Sequence, residues 1–195
     1  WPSKASTGER SSIRPSTLME DLSLHILDIV ENATTAGATR VEIRIIEDTK
    51  SDLLQITIKD NGRGMDSQTL KGVTDPFVTS RTTRRVGLGI PLFEQAAREA
   101  GGRLSVASEA GLGTEIEATF QAGHIDRKPM GDMGATLVSL IAGNPDVDFV
   151  YECKRHGKRT SLDTRSIKDE IEGFTTISDP KILQLIREMV NNPES

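Results

Sequence analysis

Three stretches of this chain alternate apolar and polar residues with a period of two: residues 40–45 (RVEIRI), 54–60 (LQITIKD) and 114–120 (TEIEATF). In the third, Ile116, Ala118 and Phe120 fall on one side, and Glu115, Glu117 and Thr119 on the other. Successive strand residues point to opposite faces, so the pattern belongs to a sheet with one face in water and the other covered. The cover has to come from the intervening segments. Residues 19–36 read as a helix with Leu22, Ile26, Ile29 and Ala33 on one face and Val30 beside it, stopped at Gly37. Asp66 caps a short helix to about Lys71. Pro91 suits the first turn of a helix to about Ala100, ended by Gly101 and Gly102. Residues 103–108 (RLSVAS) make another strand, and 110–114 (AGLGT) a tight turn into the last one. Residues 74–87 lack either period and read as a loop. The order predicts an α/β fold, specifically an α+β two-layer sandwich with helices on one face of a mixed sheet.

From about Gln121 the character changes. Residues 130–143 (MGDMGATLVSLIAG) read as a helix, VDFVYECK and RTSLDTR flank RHGK like a hairpin, and 178–190 (SDPKILQLIREMV) carry a cap, a first-turn proline and an apolar period. The organisation expected is a polar lead or added remnant at 1–18 with Met19 as a native start, a domain at 19–121, and an extension at 122–195. At about 70 residues the extension is too small for a comfortable core of its own, so it is expected to pack on the domain or on a partner.

Composition narrows the classes. Of 195 residues, 35% are apolar and 27% charged, which fits an ordinary core. No run approaches the ~18 apolar residues of a membrane span. One cysteine, Cys153, rules out an internal disulfide framework and fits a reducing cytoplasm. A net charge of −5 gives no support for a nucleic-acid surface, although RTTRR (81–85) and KRHGKR (154–159) are short basic clusters.

Glycine-marked turns carry the chemistry. In DNGRGM (60–65), Asp60 ends a strand where its carboxylate can accept from an exocyclic amine, and Gly62 and Gly64 let backbone approach a flat ring. In VGLGIPL (86–92), Gly87, Leu88 and Gly89 open a helix, where free N–H groups and the helix dipole favour phosphate. In GLGTEIE, Thr114 begins a strand and offers a hydroxyl. On the first helix, His25, Asp28 and Asn32 are spaced three and four apart, which reads as one polar face able to hold Mg²⁺ and a water beside phosphates.

Taken in order, LDIVENATTAGA, DNGRGM, DPFVTSRTTRRVGLGIPL and GLGTEIEATF resemble the N, G1, F and G2 boxes and the terminal G-x-G-T strand of the GHKL superfamily of gyrase, Hsp90, histidine kinase and MutL ATP-binding domains. The resemblance covers about residues 20–121. It implies the Bergerat fold, with Mg-ATP held between the first helix and a lid. Carried across, Asn32 matches the Mg²⁺-binding asparagine and Asp60 the aspartate that accepts from the adenine amine. Gly62 and Gly64 match the G1 glycines and Phe77 the F-box aromatic. Gly87, Leu88 and Gly89 match the phosphate-contacting turn, and Thr114 the threonine near adenine. Arg81 falls where many histidine kinases carry a lid lysine, with Arg84 and Arg85 following. At position 28, gyrase-like ATPases carry a glutamate base and many sensor kinases an asparagine; Asp28 is a carboxylate one methylene shorter than that base.

The short lid and DPFVTSR resemble the kinases. No phosphoacceptor helices precede the domain in this sequence, and none of the three histidines sits in a phosphoacceptor context. A cytoplasmic, histidine-kinase-like protein with ATP and Mg²⁺ as cofactors is therefore expected, passing the γ-phosphoryl group to a protein partner in trans. A slow ATPase switch and a non-catalytic ATP-binding module remain open alternatives. Neither nucleic acid nor a membrane span is expected, and the oligomeric state is left open.

Overall fold

The computed structural model describes residues 21–73, 89–173 and 175–192. The lead at 1–18 and most of the expected lid, including Phe77, Arg81, Arg84, Arg85, Gly87 and Leu88, lie outside the described residues.

Among the described residues, six helices and six strands follow in the order α1 (Leu22–Thr35), β1 (Arg40–Asp48), β2 (Leu53–Asp60), α2 (Ser67–Gly72), α3 (Gly89–Glu99), β3 (Arg103–Glu109), β4 (Gly113–Gln121), α4 (Met133–Gly143), β5 (Asp148–Arg155), β6 (Lys158–Asp163), α5 (Thr164–Ile171) and α6 (Pro180–Asn191). The first helix starts three residues later than its apolar period suggests, because Asp21 caps it by accepting from the Leu24 N–H at 3.1 Å. It ends as expected before Gly37, whose φ of 82° lies in the left-handed region.

The strands form one sheet in the order β3-β4-β2-β1-β5-β6, and only the β1–β5 pair is parallel. The period-two pattern translates directly into burial. Val41, Ile43 and Ile45 of β1, Leu54, Ile56 and Ile58 of β2, and Ile116, Ala118 and Phe120 of β4 are buried beneath helices, while Arg44, Lys59 and Glu115 are exposed on the opposite face. The covering layer brings α1 against α3 and α4, with α6 against α4. Phe93 of α3 meets Phe120 at 5.8 Å between ring centroids.

The segment after Gln121 continues the sheet. β5 lies alongside β1 with Ile43 opposite Tyr151, so β1 is a central strand, and β6 closes that edge. Two local readings change. The second arm of the hairpin stops at Asp163, which caps α5 by accepting from the Arg165 N–H at 2.9 Å, so the described residues of the segment hold three helices where two were expected. The helix expected over 130–143 begins only at Met133, because Asp132 caps it, accepting from the Ala135 N–H at 2.8 Å. Asp132 also meets Arg187 and Asn191 of α6, at 2.8 and 2.9 Å. Those donors, with the Ala135 N–H foremost, hold its carboxyl down at about 2. Among the described residues no helix is long and apolar enough to cross a membrane.

Candidate functional site

Asp28 projects from the middle of α1 and is half-buried. Its carboxylate accepts from the backbone N–H of Gly89, the first residue of α3, so a side chain of one helix occupies the open N-terminus of another. Asn32, one turn further on, donates its amide nitrogen to the Asp28 carbonyl at 2.8 Å and lies 3.5 Å from the carboxylate Oδ2. Burial pushes the Asp28 pKa up, and the bonds from Asn32 and Gly89 oppose that rise. Gly89 has to be glycine here, since a Cβ would overlap Oδ2 of Asp28.

Asp60 ends β2, opposite Val41 on one side and Thr114 on the other. Its carboxylate accepts from the Gly62 N–H at 2.8 Å and from the Thr114 N–H, while burial raises its pKa against those bonds. The glycines of the turn have reasons internal to the chain. A Cβ on Gly62 would come within 2.9 Å of Asp60 Oδ1 and 3.3 Å of the Ala36 carbonyl. Gly64, at φ 63°, turns against the β3–β4 connection so closely that a Cβ would overlap the Glu109 carbonyl.

Two residues that sequence reasoning passed over hold this region together. Asn61 accepts from the Thr39 and Arg40 N–H groups, both at 2.9 Å, and donates to the Thr39 hydroxyl at 2.9 Å. The turn is thereby fixed to the start of β1. An Asn-Gly pair in a turn was the available signal. Ser108 accepts from the Met65 N–H at 2.9 Å, donates to the Gly113 carbonyl at 2.8 Å and lies 3.0 Å from the Thr114 hydroxyl. Nothing in its sequence setting marked it. The Arg63 N–H donates to the Ala36 carbonyl at 3.1 Å, which ties the turn to the end of the helix carrying Asp28 and Asn32. The structure therefore assembles Asp28, Asn32 and Gly89 in one cluster, and Asp60, Gly62, Gly64 and Thr114 in a second, joined through the last turn of α1.

His25 does not belong to the polar face on which its spacing had placed it. Its ring is 1% exposed and stacks on Phe93 at 5.4 Å between centroids, in the apolar seam between α1 and α3. The same residue stands three after Leu22 and four before Ile29, which is the spacing of the buried stripe. Neither ring nitrogen has a hydrogen-bond partner among the described residues. Burial lowers its pKa to about 4, with repulsion from Lys128 adding and attraction to Asp21 opposing.

As for Mg²⁺, the described residues contain no cluster of three or more His, Cys, Asp or Glu side chains able to hold a metal. Magnesium bound beside phosphates takes only one or two protein ligands and keeps several waters. The amide and carboxylate oxygens of Asn32 and Asp28 fit that donor set.

A helix-covered mixed sheet of this form, with an Asp-Asn helix face against a glycine-led helix and an Asp-x-Gly-x-Gly turn at a strand end, defines a nucleotide-binding domain of the Bergerat type. Residues 18–124 match the family of histidine kinase-, DNA gyrase B- and HSP90-like ATPases, and the chain belongs to that family. Among its relatives, the autoinducer 2 sensor kinase/phosphatase LuxQ of Vibrio cholerae is 34% identical over 179 residues, covering 80% of this chain and 20% of LuxQ. The signal transduction histidine-protein kinase AtoS of Escherichia coli is 38% identical over 96 residues, covering 49% of this chain and 15% of AtoS. The chain thus spans a fifth or less of the length of these proteins. Among solved structures, the Aquifex aeolicus MutL ATPase domain complexed with ADP aligns with a TM-score of 0.47 at 21% identity, covering 80% of this chain and 68% of that one.

Proposed function

We propose that the chain binds Mg-ATP and passes the γ-phosphoryl group to a protein partner in the cytoplasm. The observation that carries this reading is the half-buried Asp28 carboxylate, paired with Asn32 and set against the N-terminus of α3. A base with a raised pKa beside a phosphate-binding helix start is suited to take a proton from an attacking group. In the reaction the partner's nucleophilic atom bonds to the γ-phosphorus. The bond to the bridging oxygen breaks, ADP leaves with that electron pair, and the nucleophile's proton goes to Asp28. Asp60 accepts from the adenine amine, with Thr114 beside it. Asn32 would hold the Mg²⁺, which supplies charge neutralisation along the phosphates.

The carboxylate at position 28 also favours a second reading, a slow ATPase in which water is the nucleophile and the nucleotide state is reported to a partner. Following radiolabelled γ-phosphate from ATP, with the full chain and the soluble proteins of its own cell, separates the two. Label on a protein supports transfer in trans, and label in free phosphate supports the ATPase. Label that stays on ATP overturns both.

A further inference from the structure

β6 is the last strand of the sheet, and its outer edge is unpaired. His156 and Gly157, with φ of 51° and 77°, make a two-residue loop, so Arg155 and Lys158 close the hairpin by exchanging both backbone bonds. From there the pattern alternates. Thr160 and Leu162 bond to β5, while Arg159, Ser161 and Asp163 turn their N–H and carbonyl groups outward. The Phe149 N–H keeps the same phase, donating to the Thr164 hydroxyl at 2.8 Å. Among the described residues, no backbone group of another element bonds to the outward groups of Arg159 and Ser161. α5 leaves the edge at Asp163 and is tied back to the start of β5, where Lys168 donates to the Val147 carbonyl at 2.9 Å and to Asp148 at 2.8 Å.

Open edges are ordinarily guarded by charge. Here the guards have opposite signs. Arg159 and Asp163 flank Ser161 on the sheet face away from the helices, whereas Thr160 and Leu162 are buried on the helix face. Within one chain Arg159 stands opposite Lys154, a like-charge pair across the ladder. A second β6 laid antiparallel, with Ser161 opposite Ser161, sets Arg159 of each copy against Asp163 of the other. Asp163 caps α5 through Oδ1, so Oδ2 is the atom that meets the guanidinium. In that register the outward groups also match. The two Ser161 residues exchange both backbone bonds, and each Asp163 N–H donates to the Arg159 carbonyl of the other copy.

α6 carries the apolar surface that a strand pair alone lacks. It packs on α4 and β6, so it is the outermost helix on this side of the sheet. Arg187 and Asn191 face α4, where both bond to Asp132. Ile186 and Val190 are buried on the next side round. Beyond them, about 160° from the α4 side, come Leu185 and Met189, 61% and 41% exposed, with Ile182 beside them. This apolar row points away from α4, over the open edge of β6.

We propose that the chain forms a two-fold homodimer through this edge, with β6 paired antiparallel to β6 of a second copy about Ser161 and the two α6 helices packed together through Ile182, Leu185 and Met189. The contact is self-complementary, as a two-fold interface requires. It joins the sheets edge to edge and leaves both Asp60 turns at the far side of each sheet from the axis.

The test is sedimentation equilibrium of the full chain, with amide exchange read by NMR. The parent should be a dimer at micromolar concentration, and the Ser161 and Asp163 amides should gain protection as the dimer fills. Arg159→Glu opposes like charges twice by symmetry and should weaken the dimer by about tenfold. Adding Asp163→Asn, which keeps a capping side chain, should recover most of that loss. Leu185→Lys should leave a monomer with an unchanged thermal midpoint, since the side chain is exposed in the single chain. The proposal is overturned if the parent stays monomeric up to about 1 mM, if the Ser161 amide exchanges equally fast in monomer and dimer, or if Arg159→Glu and Leu185→Lys dimerise like the parent.

Discussion

His25 gives the fold a measurable sensitivity to acid. The folded chain holds the neutral imidazole, with a pKa lowered from 6.5 to about 4, because a cation 1% exposed against Phe93 forfeits its hydration. The unfolded chain takes up its proton first as pH falls. Stability from this group is therefore complete above the unfolded value of 6.5 and is lost as pH drops towards 4. Linkage sets the loss at about 2 kcal/mol between pH 7 and 5, rising to about 3 kcal/mol below pH 4. Lys128 repels the cation and Asp21 attracts it, so burial decides the sign. The perturbation is His25→Leu, which keeps a similar volume and cannot titrate. Denaturant unfolding at pH 7 and pH 5 should show the parent losing about 2 kcal/mol more than the variant. At pH 7 the variant should be no less stable, since each unpaired buried polar atom it removes costs on the order of 1–3 kcal/mol. Equal losses in both proteins, or an imidazole NMR titration centred near the unfolded value, would refute the reasoning.

Four further outcomes are expected. Asp60→Asn should weaken ATP at least about tenfold by calorimetry while the thermal midpoint stays in place, since an anionic acceptor is lost and the shape is kept. Asp28→Asn should slow phosphoryl transfer or hydrolysis by about a hundredfold with nucleotide affinity nearly unchanged; full turnover would make the carboxylate a bystander. Gly64→Ala should destabilise the chain by at least about 2 kcal/mol in denaturant, because the residue holds a left-handed φ with no room for a Cβ beside Glu109. Truncation after Gln121 should abolish cooperative unfolding by circular dichroism, because it strips β5 from β1 and removes buried Phe149, Tyr151 and Leu137.

The sheet was legible because burial on one face imposes a period of two that each strand carries alone. Ile43, Ile56 and Ile116 could be placed from six or seven neighbours each. The stripe of α1 was legible for the same reason at a period near 3.6. Pairing is a different matter: nothing in VDFVYECK says that it lies parallel to β1, a hundred residues earlier, because a ladder leaves no mark on the side chains of one strand. The eight residues of α5 are mostly polar and too short for a period to emerge from noise. His25 was misplaced because its distance from Asp28 was counted and its distances from Leu22 and Ile29 were not. At the site, Asp28, Asn32 and Asp60 stood out by residue type. Ser108 did not, since its role comes from three groups brought to it by the turn, β3 and β4. Gly62 and Gly64 were read as room for a ring; the structure adds a reason the sequence did not show, carbonyls and a carboxylate that fill the space a Cβ would need.

The helix that carries Asp28 and Asn32 is held at both ends by different parts of the chain. At its start, the Leu22 and Ser23 N–H groups donate to the carbonyls of Pro129 and Met130, at 2.9 and 2.8 Å. These satisfy donors that a helix N-terminus otherwise leaves to water. The fit is close enough that Gly131, at φ 81°, has no space for a Cβ against Asp21. At its end, the Ala36 carbonyl accepts from Arg63 in the turn after Asp60. In between, α4 packs on its flank and α3 supplies the Gly89 N–H that Asp28 meets. A contact between a carboxylate and one backbone N–H tolerates shifts of only a few tenths of an ångström before it weakens. The segment after Gln121 therefore shares in setting where Asp28 sits relative to α3.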